Sequence, residues 1–172
     1  MTAFDIPTVE TARLRLRAFH AADLDAYGAM QANPNVMRYL LTGQTATRIQ
    51  TWYTMLTSTG SWALRGYGMW ALERKDSGVL VGRAGFIEPE GWPGFELGWL
   101  LGRSHWGNGY AIEAARAALD WARTALRRDR VMSFIRPGNE RSVKVALALG
   151  STLAGETELL GGKVLVYEWR AP

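Results

Sequence analysis

The stretch FELGWLLGRSHWGNGYAIEAARAALDWARTAL, residues 95–126, decides the fold because its hydrophobic period changes at a glycine-rich turn. Residues 95–101 form a short apolar run typical of a buried strand. From residue 110 the period becomes helical, with an apolar stripe formed by Ala111, Ala115, Ala118, Ala122 and Leu126. The opposite face carries Glu113, Arg116, Asp120, Arg123 and Arg127. The stretch therefore predicts a strand, a turn and a long helix.

The turn between the two periods contains Gly107-Asn108-Gly109. Glycines at a helix entry let the backbone approach a ligand, and the unpaired N–H groups of the first turn favour an anion. A tight structural turn is the alternative use of such glycines. The chain has neither the P-loop motif nor the third glycine of the dinucleotide fingerprint, which disfavours an NTPase or a nicotinamide enzyme.

Composition predicts one globular domain over residues 1–172, with 48% hydrophobic and 21% charged residues. The chain has no cysteine, which excludes disulfides and a thiolate nucleophile. No apolar run approaches membrane-spanning length and no signal-peptide h-region is present, so we expect a cytoplasmic protein without a membrane partner. The net charge of +4 permits a polyanionic partner. However, the densest basic cluster, residues 123–130, follows a helix, where positive charge is favourable in itself.

The remaining patterns predict strands at 13–17, 67–73, 79–87, 130–136, 152–158 and 163–169. They predict helices at 21–30, at 45–56 and at 140–149, the second closed by the Thr-Ser-Thr-Gly run at 57–60 and the third capped by Asn139. This order of elements is typical of an α/β (α+β) domain with a mixed sheet. Among the eight tryptophans, Trp52, Trp62, Trp70 and Trp92 either fill the core or line a binding pocket, and core filling is favoured.

Four segments, in this order and spacing, resemble the Gcn5-related N-acetyltransferase (GNAT) superfamily. They are TARLRLR at 11–17, ELGWLL at 96–101, WGNGYAIEA at 106–114 and the segment 139–150 that begins NERS. Within the superfamily, the chain is similar to the branch that includes the acetyltransferases of ribosomal-protein N-termini. The resemblance implies a mixed, mostly antiparallel sheet that is flanked by helices and splayed at its central strand. It also implies acetyl-CoA as the donor and a primary amine as the acceptor.

The resemblance also implies a set of coenzyme-binding positions. These are Trp99, Leu100, Leu101, Arg103, Trp106, Gly107, Asn108, Gly109, Tyr110, Ala111, Ile112, Asn139 and Ser142. The family often has Gln or Arg three residues before the first glycine, where this chain has Ser104, and Arg103 is the candidate replacement.

The expected reaction is direct acyl transfer, because a cysteine acyl-enzyme is impossible. Glu96 is the candidate general base. The alternatives are that it is a solvated carboxylate on the strand or that its charge binds the acceptor. Glu88 and Glu90, on the preceding loop, are alternative binders of a cationic acceptor. Asn139 and Ser142 match the family's Asn-x-x-Ser segment, where they would contact the pantetheine and assist the leaving thiolate. Both residue types also cap helices.

No tyrosine in segment 139–149 matches the general acid of some family members, and His20 and His105 lack the spacing of metal ligands. A catalytically inactive CoA-binding sensor or interaction domain is the alternative function, and a nucleic-acid-binding protein is a third, disfavoured one. The acceptor stays open among peptide N-termini, a polyamine, an amino acid and an antibiotic amine. A monomer and a homodimer are both compatible with the sequence.

Overall fold

The computed structural model describes residues 5–40 and 43–171, and their strands form one sheet. The strands are β1 (Val9–Glu10), β2 (Leu14–Arg17), β3 (Met69–Arg74), β4 (Leu80–Ile87), β5 (Glu96–Leu101), β6 (Arg130–Ile135), β7 (Thr152–Leu159) and β8 (Gly162–Arg170). The helices are α1 (Leu24–Gln31), α2 (Pro34–Met37), α3 (Arg48–Arg65), α4 (Tyr110–Ala125) and α5 (Glu140–Ala148). The strand order is β1-β2-β3-β4-β5-β6-β8-β7. The only parallel neighbours among the described strands are β5 and β6, so the mixed, mostly antiparallel sheet is confirmed.

The two parallel strands separate almost immediately. They share one bridge, between Glu96 and Met132, where the Met132 N–H donates to the Phe95 carbonyl at 2.9 Å. One step further, the Ser133 hydroxyl donates to the Leu97 carbonyl at 2.8 Å in place of a backbone partner. Main-chain groups of alternate residues in a strand point to the same edge. Beyond Leu97, the main-chain groups of Trp99 therefore face the gap, which is the splay expected at the central strand.

Helices cover both faces of the sheet. On one face, α4 buries its alanine stripe against the sheet, and α5 packs beside it through Ala146. On the other face, α1 and α2 bury Tyr27, Met30 and Met37 against Leu100. Trp62 and Trp70 are core residues, as expected. Their ring centroids are 4.6 Å apart, and they lie 5.3 and 5.0 Å from that of Trp121. Trp52 is exposed.

Helix α3 continues nine residues beyond its expected end at residue 56. The run at 57–60 does not stop it, because the hydroxyls of Thr57 and Ser58 donate to the carbonyls four residues earlier. Burial of Trp62 draws the chain onward, and Gly66 ends the helix in the left-handed conformation. The expected end was therefore wrong, and the other predicted strands and helices agree within a few residues.

Two short elements are absent from the sequence-based prediction. Strand β1 pairs with β2 through Val9 and Leu16. Helix α2 begins at Pro34, and the Asn33 side chain accepts from the Asn35 N–H at 3.0 Å. Asn33-Pro34 therefore ends one helix and begins another, since proline is favoured in a first turn. Within residues 5–40 and 43–171, no helix is both long and apolar enough to span a bilayer.

Candidate active site

A main groove of about 410 Å³ lies where β5 and β6 separate. Its walls come from the end of β5, the start of α4, the start of α5 and the segment 35–40 that contains most of α2. This is the carboxyl end of two parallel strands that diverge, a common place for a ligand in an α/β sheet. The groove thus collects segments that lie far apart in the sequence.

The glycine-rich turn forms one end of the main groove. Gly107 and Gly109 have φ angles of 80° and 78°, which favour glycine, and Gly109 is the N-cap of α4 without a side-chain cap. The first helical hydrogen bond runs from Glu113 N–H to the Gly109 carbonyl. In the described part of the chain, no protein acceptor receives a hydrogen bond from the N–H groups of residues 107–112. The turn therefore presents free main-chain donors at a helix N-terminus, which suit a phosphate.

Side chains behind the turn hold it in this conformation. The Asn108 amide donates to the carbonyls of His105 and Trp106 at 3.1 and 3.2 Å. Arg13 donates to the Asn108 carbonyl at 2.9 Å, and its guanidinium lies over the Tyr110 ring. Asn108 therefore shapes the loop, and it does not line the groove.

Glu113, expected on the solvent face of the helix, instead ties α4 to the segment before β2. Its carboxylate accepts from the Thr11 hydroxyl at 2.6 Å, the Arg13 N–H at 2.8 Å and Arg13 Nε at 2.7 Å. Burial alone would raise the pKa of Glu113, but these hydrogen bonds outweigh it and the pKa lies below its ordinary value. The periodic pattern placed this residue correctly on the helix but missed its partners.

Positive charge surrounds Trp106 at the mouth of the main groove. The guanidinium groups of Arg103 and Arg141 lie 4.6 and 4.2 Å from the ring centroid, and the indole N–H donates to the Leu101 carbonyl. Arg103 packs on Trp106 and does not line the groove, whereas Arg141 and Lys144 do. The cations next to the turn are thus supplied partly by α5.

Asn139 and Ser142 both line the main groove. The Asn139 side chain also accepts from the Ser142 N–H at 3.3 Å, so the capping role is present together with exposure to the groove.

A smaller side cavity of about 80 Å³ contains Glu96. It lies on the α1–α2 face of the sheet and shares three lining residues, Tyr39, Leu40 and Trp99, with the main groove. Further walls come from the β7–β8 hairpin and from Trp92. Trp92 therefore lines a pocket, whereas Trp62 and Trp70 fill the core. The two cavities adjoin at the splay.

The pKa of Glu96 is raised to about 7, chiefly because burial disfavours the charged form. The Trp92 indole, which donates to the carboxylate at 2.6 Å, the main chain of Phe134 and the charge of Arg83 all lower it, but by less. A carboxylate with a pKa near neutrality is suited to proton transfer.

The two alternative carboxylates lie elsewhere. Glu88 accepts from the Tyr67 hydroxyl at 2.9 Å and lies 4.0 Å from Arg128. Neither Glu88 nor Glu90 lines the side cavity. The described residues contain no cluster of three or more potential metal-binding side chains.

Most of the expected coenzyme-binding residues meet in the main groove, with Arg103 and Asn108 as the two that do not line it. Sequence reasoning missed Tyr39, Arg83 and Arg141. Arg83 had a signal, a charged residue inside the apolar run at 79–87. Tyr39 had none, because its place depends on how α2 packs across the sheet.

Comparisons with known proteins agree with this geometry. Residues 13–152 match the Acetyltransferase (GNAT) domain. The uncharacterized protein YkkB of Bacillus subtilis is 31% identical over 166 residues, 92% of each chain. The uncharacterized N-acetyltransferase p20 of Bacillus licheniformis is 29% identical, over 83% of this chain and 80% of its own.

Solved structures give the same result. An acetyltransferase from Agrobacterium tumefaciens superposes with a TM-score of 0.86 at 32% identity, covering 99% of this chain and 98% of that one. The ribosomal-protein acetyltransferase RimL, solved in complex with coenzyme A, has a TM-score of 0.78 at 22% identity, covering 95% and 98%, and shares the fold. The chain belongs to the acetyltransferase (GNAT) domain family, and it is an N-acetyltransferase that uses acetyl-CoA.

Proposed function

We propose that this chain acts as a single acyltransferase domain in which the main groove binds acetyl-CoA and Glu96 removes a proton from an amine held in the side cavity. The observation that carries the proposal is the junction of the two cavities at Tyr39, Leu40 and Trp99. An amine beside Glu96 and a thioester in the splay would meet there.

The residues of the main groove fit the coenzyme. The free N–H groups of residues 107–112 suit its diphosphate, and Arg141 and Lys144 add positive charge nearby. The main-chain groups of Trp99 face the gap between β5 and β6, where they can bond the amides of the pantetheine arm as an additional strand would. Asn139 and Ser142 line the same groove beside this arm.

The transfer step balances without a covalent enzyme intermediate. Glu96 takes a proton from the ammonium form of the acceptor, and the neutral nitrogen forms a bond to the acetyl carbon. The carbon–sulfur bond breaks, and its electron pair leaves on sulfur. The nitrogen, which carries a positive charge once its new bond has formed, releases its second proton to the solvent and becomes the neutral amide. The thiolate then needs a proton from a nearby acid.

Three residues with a hydroxyl line the main groove, Tyr39, Tyr110 and Ser142, and of these only Tyr39 also lines the side cavity. Ser142 is at the first turn of α5, and Tyr39 lies at the junction of the two cavities. A phenol, with an ordinary pKa of about 10, is a far better acid towards a thiolate than an aliphatic hydroxyl. We therefore assign the proton donation to Tyr39, and Ser142 holds the arm.

The test is thiol release from acetyl-CoA with a panel of amines, measured across pH. Below pH 7, kcat/KM should fall about tenfold per pH unit, because Glu96 must be ionised to act. Glu96→Gln should lower kcat/KM by about 10²- to 10⁴-fold. It should leave the affinity for CoA within about twofold, and the exposed Glu90→Gln is the matched control.

The inactive CoA-binding alternative predicts a different set of results. In that case CoA would bind saturably, no amine would be acetylated, and Glu96→Gln would change nothing.

A further inference from the structure

Arg83 has no part in the reaction proposed above, yet it lies in the side cavity with Glu96. It is in β4 opposite Leu100, while Ile87 lies opposite Glu96. Directly opposite residues of antiparallel strands share a face, as do alternate residues of one strand. Arg83 and Glu96 therefore rise from the same face of the sheet, towards α1 and α2.

The Arg83 guanidinium lacks the partner that a largely enclosed cation requires. Its Nε atom is buried and makes no hydrogen bond within the described residues. Its carbon centre is 6.0 Å from the Tyr27 ring centroid, and no carboxylate in this part of the chain lies within 4.0 Å of it. Leaving a buried charged donor unpaired is unfavourable, so such a group calls for a partner from outside the described residues.

Another arginine of the same sheet shows the usual arrangement. The side chain of Arg17 is 11% exposed, and it makes ion pairs with Asp23 at 2.8 Å and Glu73 at 2.6 Å. The fold thus can supply acidic partners to a partly buried arginine. Arg83 lines the side cavity, and its Nε atom has no such partner among the described residues.

A second cation lines the same cavity. Arg136 follows β6 and alternates with Phe134, which also lines it. A charged ligand is inferred from Arg83 and not from Arg136. The cavity has the Glu96 carboxylate at one place on its wall and the Arg83 guanidinium at another. That distribution is complementary to a molecule with a positive amine and a negative group.

We propose that the acceptor is a small amine that also carries an anionic group, bound through Arg83, and that a free amino acid is its simplest form. This inference rests on the proposed role of Glu96 as the base that faces the amine. Arginine binds carboxylates and phosphonates through paired hydrogen bonds, which fixes the ligand's orientation as well as its charge. The volume of about 80 Å³ is also far below that of a drug-sized site, so a small acceptor fits best.

The other acceptor classes fit less well. A polyamine would bring a second positive charge towards Arg83. The first residue of a peptide would place a neutral carbonyl there, which leaves the arginine without its counter-ion.

The first experiment varies only the ligand. Acetylation by the wild-type protein is measured with the free amino acids, with their α-carboxamides, with aminoalkylphosphonates and with spermidine. We expect kcat/KM for the best acid to exceed that for its own carboxamide by at least about tenfold. Activity on phosphonates would show that any anion suffices, and its restriction to carboxylates would narrow the class to amino acids.

The second experiment varies the protein. Arg83→Met should reduce the ratio of kcat/KM for the acid to kcat/KM for its carboxamide from at least about tenfold to about one. The ratio is compared on the pH-independent plateau of each variant, because loss of the Arg83 charge also raises the pKa of Glu96 and affects both substrates alike. Arg83→Lys should retain part of the preference. Arg123→Met, at an exposed position of α4, is the matched control. Thermal unfolding and CoA affinity are measured on each variant, because a purely structural role would lower both substrates alike.

Two failures can be told apart. If acids and carboxamides are acetylated equally well, or if Arg83→Met lowers both equally, the anionic acceptor is wrong while the proposed function stands. If CoA binds but no amine of any class is acetylated, the proposed function fails first.

Discussion

Glu96 shows that the proposed chemistry has a cost in stability. A carboxylate is placed beside a cavity, and burial raises its pKa from 4.5 to about 7. The folded protein therefore holds a proton between these pH values that the unfolded chain has released. By linkage, the stability contributed by this group is full below pH 4.5 and falls as the pH rises to about 7.

Replacing this carboxylate should consequently stabilise the protein above pH 7, where the buried group is charged. We expect Glu96→Gln to raise the free energy of unfolding at pH 8 by up to about 3 kcal/mol, at about 1.4 kcal/mol per pKa unit, and by little at pH 4.5. Urea denaturation at both pH values measures the difference, with Glu90→Gln as the control. An equal effect at both pH values would mean that the buried charge is not its cause.

Tyr39 is the second residue whose role can be isolated. Tyr39→Phe removes only the hydroxyl, so we expect kcat to fall by at least about tenfold while the affinity for CoA is retained. Ser142→Ala should instead weaken binding of the coenzyme more than it lowers kcat. The measurement is single-turnover acetyl transfer together with calorimetric binding of CoA. The reverse pattern would transfer the proton donation to Ser142.

At the scale of elements, the first turn of α4 depends on two glycines, Gly107 and Gly109, because both positions have the left-handed backbone conformation that favours glycine. Gly109 has a φ of 78°, and a Cβ there would also lie 3.4 Å from the Arg13 guanidinium. The loop is stabilised further by Arg13 and Glu113, which join it to the segment before β2. The donors of this turn therefore depend on contacts between residues a hundred positions apart.

Gly109→Ala should accordingly raise the KM for acetyl-CoA by about tenfold, because shifting the turn misaligns several N–H donors at once. Gly66→Ala is a close control, since Gly66 has a φ of 73° at the end of α3, with no atom near its added Cβ. Both changes should cost about 1–2 kcal/mol of stability from the left-handed backbone. Steady-state kinetics and thermal unfolding separate the two effects, and equal KM values in the two variants would refute the role of the turn.

Elements with a strong hydrophobic period could be predicted from the sequence. Element ends that depend on the hydrogen bonds of polar side chains could not. The alanine stripe of α4 is buried at Ala115, Ala118 and Ala122, as its spacing indicated. The run at 57–60 suggested a helix end by composition, but its hydroxyls found acceptors inside the helix. Whether a helix ends or continues at such a run depends on residues further along the chain. Here the burial of Trp62 favours continuation of α3.

At the scale of the whole molecule, a charged network holds the helical layer that covers both cavities. Arg17 on β2 donates two hydrogen bonds to Asp23, just before α1, and a third to Glu73 on β3. Burial alone would raise the pKa of Asp23, but Arg17 and the His20 N–H lower it more. The network therefore stabilises the fold above the ordinary pKa of Asp23, and this contribution is lost as the pH falls.

Asp23→Asn should destabilise the protein by about 2 kcal/mol at pH 7, where a charged hydrogen-bonding partner of Arg17 is lost. The effect should shrink towards pH 3, because below the ordinary pKa of 3.8 the unfolded chain takes up a proton on Asp23 more readily than the folded protein does. Denaturation in urea at the two pH values tests this, and the exposed Asp25→Asn on α1 is the control. A loss of stability that is independent of pH would indicate a packing defect in place of the lost charge.

The sequence by itself determined the order of the main elements and the family, and it named the two ends of the proposed active site, the glycine turn and Glu96. These follow from periodicity, from special backbone positions and from a motif, all of which are local along the chain. Only the tertiary structure decided that α2 brings Tyr39 to the junction, that Arg83 shares a cavity with Glu96, and that Glu113 is tied to Arg13. The physical reason is that strand register and helix packing bring together residues that are far apart in the sequence, and no local pattern in the sequence indicates that they are in contact.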